Sequence, residues 1–492
     1  MTTKVTIRRL ATGVPGLDSI LGGGLPEFSL NLISGPPGSG KTTLAHQIMF
    51  ALATPERPAL FFTVLGEPPL KMLRYQQQFS FFDVDKIGDT IRFVNLSEDV
   101  ATGKFDDVLA HIAKEVEGFH PGLVFVDSVR SVLQEGGRLD NDEISLQQFI
   151  QQLGINLTSS KATTFLIGEY LTDAEAPPIS TVADGLIKLS QSIQQHTMVR
   201  QIQIQKMRGQ PTSPGVHTFR ITGDGIEVFP SAMIHSDSGA KAGAVRSPRS
   251  QVRLAMGVPG LDDMLGGGLP TGYSLLVAGP SGSGKTILAT TFLVEGVRRG
   301  EPGVIVAFEQ TPSESLTPTI DELVRAGKIG LINTRATDLS MDEIMHQMTS
   351  LIRDMKATRV VIDSLSGYEL SVAPSFRTDF REALFRMVTV LSGIGVTVLM
   401  TSELEDRYID LRFSSYGSAF LTDAIIVQRY IEIDSQLKRV MAVVKVRGSS
   451  HSKEIREFEI SDAGIVIGDP ILDFEGILGG QPTRRPPSKK VN

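Results

Sequence analysis

The chain contains 492 residues, of which 41% are apolar and 21% are charged, so it has enough material for two or three cores. Its net charge of −7 argues against a surface that binds nucleic acid over its whole extent, and the absence of cysteine excludes disulfides, thiolate zinc sites and thiol nucleophiles. It has neither a run of 18 apolar residues nor an apolar signal at its N-terminus, so we predict a cytoplasmic protein with no membrane partner.

The sequence contains the same domain twice. The passage GVPGLD at Gly13 recurs at Gly257, and LGGGLP at Leu21 recurs at Leu265, both with an offset of 244 residues. A period this long is that of a whole domain, because solenoid repeats run about 20 to 50 residues. Residues 231–250 are rich in Ser, Ala and Gly, as is typical of a linker. We predict a first domain over residues 1–230, a linker over 231–250, a second domain over 251–470 and a C-terminal loop with a short basic tail over 471–492.

Short β-branched or aromatic segments alternate with longer amphipathic ones in the first copy. Residues 105–116 have the period of a helix, and the segments with the composition of buried strands are residues 30–33, 60–64, 123–126 and 164–167. Strands that alternate with helices predict an α/β fold, with a mostly parallel sheet covered by helices on both faces. Residues 186–204 and 425–446 are instead predicted to form β-hairpins that close the edge of each sheet.

Both copies contain the motif G-x-x-x-x-G-K-[ST] between a short apolar strand and a helix-like run. In such a loop, glycines let backbone N–H groups surround a phosphate, the lysine reaches the β and γ oxygens, and the threonine ligates Mg²⁺. We therefore predict that ATP and Mg²⁺ bind at both motifs. The predicted nucleotide-binding residues are Gly35, Gly38, Ser39, Gly40, Lys41, Thr42 and Thr43 in the first copy and Gly279, Gly282, Ser283, Gly284, Lys285, Thr286 and Ile287 in the second.

An aspartate ends an apolar strand at the expected distance after each of these loops. A carboxylate at the carboxyl end of a central strand lies beside the phosphate loop and can hold the hydration shell of Mg²⁺. The sequence therefore predicts one magnesium site from Thr42 and Asp127 and a second from Thr286 and Asp363. The alternative is that each aspartate only caps the following helix.

These features together resemble the KaiC family over nearly the whole chain. The resemblance rests on the two repeated passages, the phosphate loops, the strand-end Asp-Ser pairs, and the closing segments KMRG at Lys206 and KVRG at Lys445. The second half is the closer match, in the stretches that begin at Thr422, Tyr430 and Val446. The resemblance implies two tandem RecA-like P-loop NTPase domains. It also implies a homo-oligomer, a hexamer of stacked rings with ATP between neighbouring subunits, and ATPase activity in both rings.

In this family, the strand after the P-loop helix ends in two glutamates, of which the first polarises the attacking water. The resemblance gives Glu309 this role as general base of the second domain, with Gln310 at the second position. The corresponding positions of the first domain are Leu65 and Gly66. Glu67 follows them and is predicted to cap a helix. We therefore expect the first domain to bind ATP and to hydrolyse it slowly.

The resemblance also assigns a catalytic role to two pairs of cations, Lys206 with Arg208 and Lys445 with Arg447. The members of a pair occupy alternate positions of a predicted strand, so both side chains face one way. In the family these cations reach the γ-phosphate on the adjacent subunit, where they stabilise the transition state and make hydrolysis depend on assembly. The alternative is a solvated face of the strand.

Clock members of the family are also serine/threonine autokinases, with a Ser-Thr acceptor pair in the second domain. The aligned residues here are Ala419 and Phe420, which cannot accept a phosphate, although hydroxyls remain at Ser414, Ser415 and Ser418. The long C-terminal tail that recruits an activator in the family is cut short in this chain. We predict a protein signalling partner, KaiB-like or of another kind.

Two other functions remain open from the sequence. A recombinase or hexameric helicase shares the RecA-like core but needs basic DNA-binding loops, and the loops after Asp127 and Asp363 have mixed charge. A structural ring that uses ATP only for assembly agrees with the altered first site, but not with Glu309, Lys445 and Arg447.

Overall fold

The chain divides into two compact units, Met1–Ser231 and Ala232–Asn492. Most of the predicted linker lies outside the described residues, so its role stays a prediction. No helix in the described part of the chain is both long and apolar enough to cross a membrane. The computed structural model describes residues 7–63, 69–101, 105–128, 151–157, 160–168, 181–194, 197–231, 252–308, 318–333, 340–371, 380–404, 421–461, 464–472, 474–479 and 483–484.

The first unit is built on a nine-stranded sheet. A separate antiparallel pair is formed by β1 (Arg9–Leu10) and β2 (Leu25–Pro26). The sheet strands are β3 (Leu30–Ser34), β4 (Ala59–Thr63), β5 (Ile91–Asn95), β6 (Leu123–Asp127), β7 (Thr163–Gly168), β8 (Gly185–Gln194), β9 (Thr197–Met207), β10 (His217–Thr222) and β11 (Gly225–Phe229). Their order is β11-β10-β9-β8-β3-β7-β6-β4-β5, parallel from β8 to β5 and antiparallel from β8 to β11.

Helices cover both faces of this sheet. Leu32 lies in the same core cluster as Ile112 of the helix Phe105–Phe119, whereas the next residue, Ile33, lies in the same cluster as Ile48 of the helix Lys41–Leu52. Adjacent strand residues point to opposite faces, so each face has its own core. The helices are α1 (Leu17–Leu21), α2 (Lys41–Leu52), α3 (Pro69–Gln76), α4 (Ser97–Ala101) and α5 (Phe105–Phe119); residues 151–157 are also helical, and Val84–Lys86 form a 3₁₀ turn.

The second unit repeats this plan. Short antiparallel pairs are formed by β12 (Arg253–Leu254) with β13 (Leu269–Pro270) and by β23 (Phe474–Glu475) with β24 (Thr483–Arg484). The sheet strands are β14 (Ser274–Gly279), β15 (Gly303–Ala307), β16 (Ile329–Asn333), β17 (Arg359–Asp363), β18 (Thr397–Glu403), β19 (Ala424–Ile433), β20 (Gln436–Val446), β21 (Ile455–Ser461) and β22 (Gly464–Pro470). Their order is β16-β15-β17-β18-β14-β19-β20-β21-β22, parallel from β16 to β19 and antiparallel beyond.

The second sheet is also covered on both faces. Leu276 packs in the same cluster as Ile344, whereas Val277 packs in the same cluster as Leu288. The helices of this unit are α6 (Pro259–Met264), α7 (Lys285–Arg298), α8 (Pro318–Arg325), α9 (Met341–Met355), α10 (Leu365–Ser371) and α11 (Phe380–Ile394), with a 3₁₀ turn at Ile477–Gly479. The predicted fold class, two α/β domains with mostly parallel sheets covered on both faces, is therefore confirmed.

One expectation about the sheets was wrong. The predicted hairpins form, as β8 with β9 and β19 with β20, but they do not close the edge of their sheets. Each sheet continues through two further antiparallel strands, β10 and β11 in the first and β21 and β22 in the second. Of these outer strands, β10 is buried only over its first three residues and β21 is mostly half-buried or exposed, so their apolar pattern is weak in the sequence.

His46 lies in the first core, on the helix that follows the phosphate loop. Its ring centroid is 4.6 Å from that of Phe61 and 6.1 Å from that of Phe93, and the side chain is fully buried. Burial lowers the pKa of His46 from 6.5 to about 4, which keeps the ring neutral in the folded protein. The second domain has Thr290 at the corresponding position.

The pKa of His46 predicts acid sensitivity of the first domain. As the pH falls below 6.5, the unfolded chain takes up a proton that the folded domain excludes until about pH 4. The first domain should therefore lose about 2 kcal/mol of stability between pH 7 and pH 5 through this group. In urea unfolding, the first domain of His46→Leu should not show this pH-dependent part of the free energy of unfolding. The unfolding transition of the second domain is the internal reference. An equal pH dependence in the variant and the wild type would contradict this assignment.

Candidate functional site

The first phosphate loop lies between the carboxyl end of β3 and the amino end of α2. Gly38 and Gly40 have φ angles of 72° and 99°, in the left-handed region that favours glycine. The Lys41 ammonium donates to the carbonyl oxygens of Gly35 and Pro36, each at 2.9 Å. The lysine therefore lies against its own loop, as a phosphate contact requires. Ser39 is buried, whereas Thr43 is half-buried on the first turn of α2.

The structure brings together the two predicted magnesium ligands of the first domain. The Thr42 hydroxyl donates to Oδ2 of Asp127 at 2.8 Å. Asp127 ends β6, and β7 lies between that strand and the strand of the phosphate loop. Hydroxyl and carboxylate oxygens are the ligands that Mg²⁺ prefers, so these residues fit the ion. Mg²⁺ held there would neutralise phosphate charge.

The second phosphate loop has the same backbone, with φ angles of 73° at Gly282 and 97° at Gly284. The Lys285 ammonium donates to the carbonyl oxygens of Gly279 at 2.9 Å and Pro280 at 2.7 Å. Ile287 lies half-buried on the first turn of α7, one residue after Thr286. The predicted phosphate-binding residues of each domain thus lie on one loop and one helix start.

The second loop has a contact that the sequence did not predict. The buried Ser283 hydroxyl donates to Oε1 of Gln428 on β19 at 3.0 Å. In the first domain the counterpart of Gln428 is Leu189, because Leu32 pairs with Leu186 as Leu276 pairs with Ile425. A leucine side chain cannot accept a hydrogen bond, and the Ser39 hydroxyl has no hydrogen-bond partner among the described residues. In the sequence, only an alignment of the β8 segment with the β19 segment would have shown that the two copies differ at this position.

The predicted magnesium ligands of the second domain are arranged differently. Asp363 is buried at the end of β17 and accepts a hydrogen bond from the Thr401 hydroxyl on β18. Among the described residues, Thr286 has no side-chain hydrogen bond to Asp363. The donor set of a hydroxyl and a carboxylate still fits Mg²⁺. In the first domain, the counterpart of Thr401 is Ile167, which cannot donate.

The predicted general base, Glu309, lies outside the described residues. Phe308, the last described residue before Glu309, donates its backbone N–H to the carbonyl oxygen of Asp363 at 3.1 Å. In the first domain, Thr63 pairs with Asp127, and Leu65, Gly66 and Glu67 again lie outside the described residues. The roles assigned to Glu309 and Glu67 stay predictions.

The lysine of each closing segment is held by the backbone just before the neighbouring strand. The Lys206 ammonium donates to the Ala183 carbonyl oxygen at 2.6 Å, and the Lys445 ammonium donates to that of Thr422 at 2.7 Å. Burial lowers the pKa of both lysines, and the neighbouring arginine lowers it further in each case. An added anion would offset both effects.

The arginines complete these pairs. Arg208 binds Asp184 at 3.2 Å, and Arg447 lies 3.7 Å from Asp423. Each arginine directly follows the residue that ends its strand, so the two cations of a pair are neighbours, although only the lysine lies within the strand. The structure therefore corrects the prediction that both members belong to the strand. The repeat would also have revealed the two aspartates, which the sequence analysis did not assign.

These cations lie far from the phosphate loop of their own domain. Lys206 pairs with Leu186, which pairs with Leu32 in the middle of β3. The aspartate that binds Arg208 donates its backbone N–H to the carbonyl oxygen of Leu30 at the start of β3, whereas the loop follows the carboxyl end of that strand. Lys445 pairs with Ile425 in the same way beside β14. A five-residue strand is roughly 15 Å long. The structure therefore does not bring the predicted catalytic cations to the P-loop of the domain that carries them.

Each domain has a phosphate loop after one strand, an acidic residue at the end of a strand two positions away in the sheet, and a mostly parallel sheet covered by helices on both faces. These features define a RecA-like P-loop ATPase. A family model described as ATPase: KaiC matches residues 10–233 and 254–471. The chain belongs to the KaiC family of ATPases.

Curated relatives match along nearly the whole chain. The circadian clock oscillator protein KaiC of Rippkaea orientalis is 30% identical, over 98% of this chain and 93% of its own length. That of a Picosynechococcus species is 29% identical, over 97% of this chain and 93% of its own length. The circadian clock oscillator protein KaiC 1 of a Synechocystis species is 29% identical, over 97% of this chain and 92% of its own length.

The contact between Ser283 and Gln428 predicts a difference between the two nucleotide sites. Gln428→Leu, which copies the first domain, should weaken ATP binding at the second site about fivefold, because a buried hydroxyl next to the phosphates loses its acceptor. Binding is measured with a fluorescent ATP analogue in a Lys41→Ala background. A double-mutant cycle with Ser283→Ala should show coupling between the two positions, and additive effects would contradict the prediction.

Proposed function

We propose that this ATPase is a homo-hexameric ring protein that binds Mg-ATP at both P-loops, with each nucleotide between neighbouring subunits. One observation carries the proposal. The partners of the predicted catalytic cations Lys206, Arg208, Lys445 and Arg447 lie toward the amino ends of β3 and β14, whereas the P-loop of the same domain follows the carboxyl ends of these strands. A complete site therefore needs cations from another chain. In a ring, the neighbouring subunit is related by rotation and supplies them.

The charge distribution supports the same assembly. Each lysine is partly desolvated and lies beside an arginine of like charge, and together these lower its pKa although a nearby aspartate opposes the shift, so a further anion would stabilise the charged form. A triphosphate from the adjacent subunit would pair with both cations. The P-loop lysine of the subunit that holds the nucleotide would bind the same triphosphate, so the nucleotide would bridge two chains. Hydrolysis would then depend on assembly, because the bridging cations stabilise the transition state.

The two domains have different tasks in this proposal. The second site hydrolyses ATP, with Glu309 as the general base that orients the attacking water. The first site has Leu65 and Gly66 where the base is expected, and its bound ATP holds subunits together while turning over slowly. Mg²⁺ is bound at Thr42 with Asp127 in the first domain and at Thr286 with Asp363 in the second.

A signalling role follows from the relatives, whose names describe clock oscillator proteins. We propose a cytoplasmic ring whose nucleotide state is read by a protein partner, KaiB-like or of another kind. Autokinase activity at the usual pair is excluded chemically by Ala419 and Phe420, and transfer to Ser414, Ser415 or Ser418 needs a rearranged acceptor segment. All five residues lie outside the described ranges. The comparisons favour neither a DNA-dependent motor nor a purely structural ring.

Assembly should require nucleotide, because each triphosphate bridges two chains. Native mass spectrometry should find hexamers with Mg-ATP and smaller species after the nucleotide is removed. The double variant Lys41→Ala, Lys285→Ala is the control and should stay dissociated even with Mg-ATP. Protein shown to be free of nucleotide that remains hexameric at micromolar concentration would contradict the bridging arrangement.

Most turnover should come from the second domain. Glu309→Gln should lower phosphate release by about a hundredfold or more, because it removes the group that orients water and leaves phosphate binding intact. Glu67→Gln is the matched variant of the first domain and should leave the overall rate nearly unchanged. An unaltered rate in Glu309→Gln, with a collapse in Glu67→Gln, would reverse the assignment of the base.

A further inference from the structure

The first domain has a cavity of about 470 Å³ at the edge of the sheet opposite the P-loop. Its lining comes from the segments that precede β3, β4, β6 and β7, at the amino ends of these parallel strands. The volume lies within the range of small-molecule sites, about 300 to 1,000 Å³. The residues with a charge or an aromatic ring are Arg8, Arg57, His120, Lys161, Phe28, Glu27 and Glu56.

Unfavourable backbone conformations are concentrated at this cavity. Among the described residues of the first domain, the non-glycine residues with positive φ are Phe28 at 63°, His120 at 49° and Lys161 at 57°, and all three line the cavity. A side chain with a Cβ is disfavoured in this region. Such residues persist where their side chains serve a purpose, and they cluster at binding sites.

The second domain shows that two of these three turns do not require a side chain, whereas at the position of His120 it also has a non-glycine residue at positive φ, Lys356 at 54°. The backbone N–H of Phe28 donates to the Thr163 hydroxyl at 2.9 Å, and the N–H of Gly272 donates to the Thr397 hydroxyl at 2.8 Å. The two turns are thus equivalent, and the second uses glycine with φ 77°. Lys161 likewise corresponds to a glycine with φ 89°, two residues before Thr397. The fold would allow glycine at both positions.

Three cations of the cavity have no cationic counterpart in the second domain, although that domain has Lys356 at the position of His120. At the positions of Arg8, Arg57 and Lys161, the second domain has Val252, Glu301 and Gly395. Three cations are therefore specific to the first copy. Of the two acids, Glu27 lies 3.7 Å from Arg8, and Glu56 is exposed.

The guanidinium of Arg57 is fixed in place. Its Nε and Nη2 donate to the carbonyl oxygen of Leu52, the last residue of α2, at 3.0 and 2.8 Å. Its stem packs on Gly122, where a Cβ would lie 2.4 Å from Cγ of Arg57. These contacts leave Nη1 for a ligand. The same helix carries the P-loop at its other end, so the cavity and the phosphate loop are joined by α2.

We propose that this cavity is a binding site for a small aromatic anion of the nucleoside phosphate class, separate from both P-loops. Arg57 and Lys161 bind the phosphate, since charge-assisted hydrogen bonds from a fixed guanidinium are strong and directional. The Phe28 ring, which is 47% exposed beside these cations, stacks on the base. Glu56 accepts hydrogen bonds from the ribose hydroxyls, a contact that inorganic phosphate alone does not offer.

The absence of tryptophan from the chain provides a direct test. Phe28→Trp places the only tryptophan of the chain at the cavity, and its fluorescence is recorded in the full chain with both P-loops filled by a non-hydrolysable Mg-ATP analogue. Added AMP should give a saturable change with a Kd below about 1 mM. Adenosine, which has no charge, should bind at least about tenfold more weakly, because it lacks the charge-assisted contacts.

A second variant tests the cavity without harming the fold. Lys161→Gly, which copies Gly395, should weaken AMP binding about tenfold or more, because it removes one cation from the phosphate. Its melting temperature should stay equal or rise, since glycine is favoured at this φ. Lys356→Gly is the matched control, because Lys356 has a φ of 54° in the second domain, and it should leave AMP binding unchanged.

Three results would overturn the proposal. One is the lack of a saturable signal with AMP up to about 5 mM, a limit that corresponds to negligible affinity. Another is an unchanged AMP affinity in Lys161→Gly. The third is a tryptophan signal that responds when the Mg-ATP analogue assembles the chains but not to AMP, which would make the cavity a contact between copies.

Discussion

Both nucleotide sites depend on a loop backbone that only glycine can form. Gly40 and Gly284 begin their helices with φ near 98° and pack so closely on the outer strands that a Cβ would lie 2.9 Å from Ile221 and 2.7 Å from Ile460. The antiparallel strands β10 and β21 therefore support the phosphate loop from one side.

Much of the fold and of the P-loops could be predicted because their signals are local. The strand before each loop, the loop itself and Asp127 each occupy a short segment with a recognisable pattern. The contact of Ser283 with Gln428 joins residues 145 positions apart and has no local signature. The partner of Asp363 was missed for the same reason, because Thr401 lies 38 positions away and is one of four polar residues in β18.

The duplicated chain separates what the fold requires from what each copy has acquired. Both copies keep the lysine contacts to the loop carbonyls and an aspartate beside the closing arginine, which is half-buried as Asp184 in the first copy and buried as Asp423 in the second. They differ at the amino ends of the strands, where Arg359 is fully buried and binds Glu301 at 2.7 Å, while its counterpart in the first copy is Leu123. A buried ion pair at this place is costly unless fully hydrogen-bonded, and Arg359 also donates to two backbone carbonyl groups.

The separation of the closing cations from the P-loop has a genetic consequence. In the proposed ring, a subunit that lacks Lys445 and Arg447 keeps its own P-loop intact but deprives its neighbour of transition-state charge. A subunit that lacks Lys285 damages only the site that it forms itself. In a cell that contains both variants, the subunit without Lys445 and Arg447 can still hold ATP on its P-loop, and a neighbour without Lys285 can still supply the cations. One intact site would form at each such boundary. Two inactive alleles would therefore complement each other within mixed rings, as expected for active sites shared between chains.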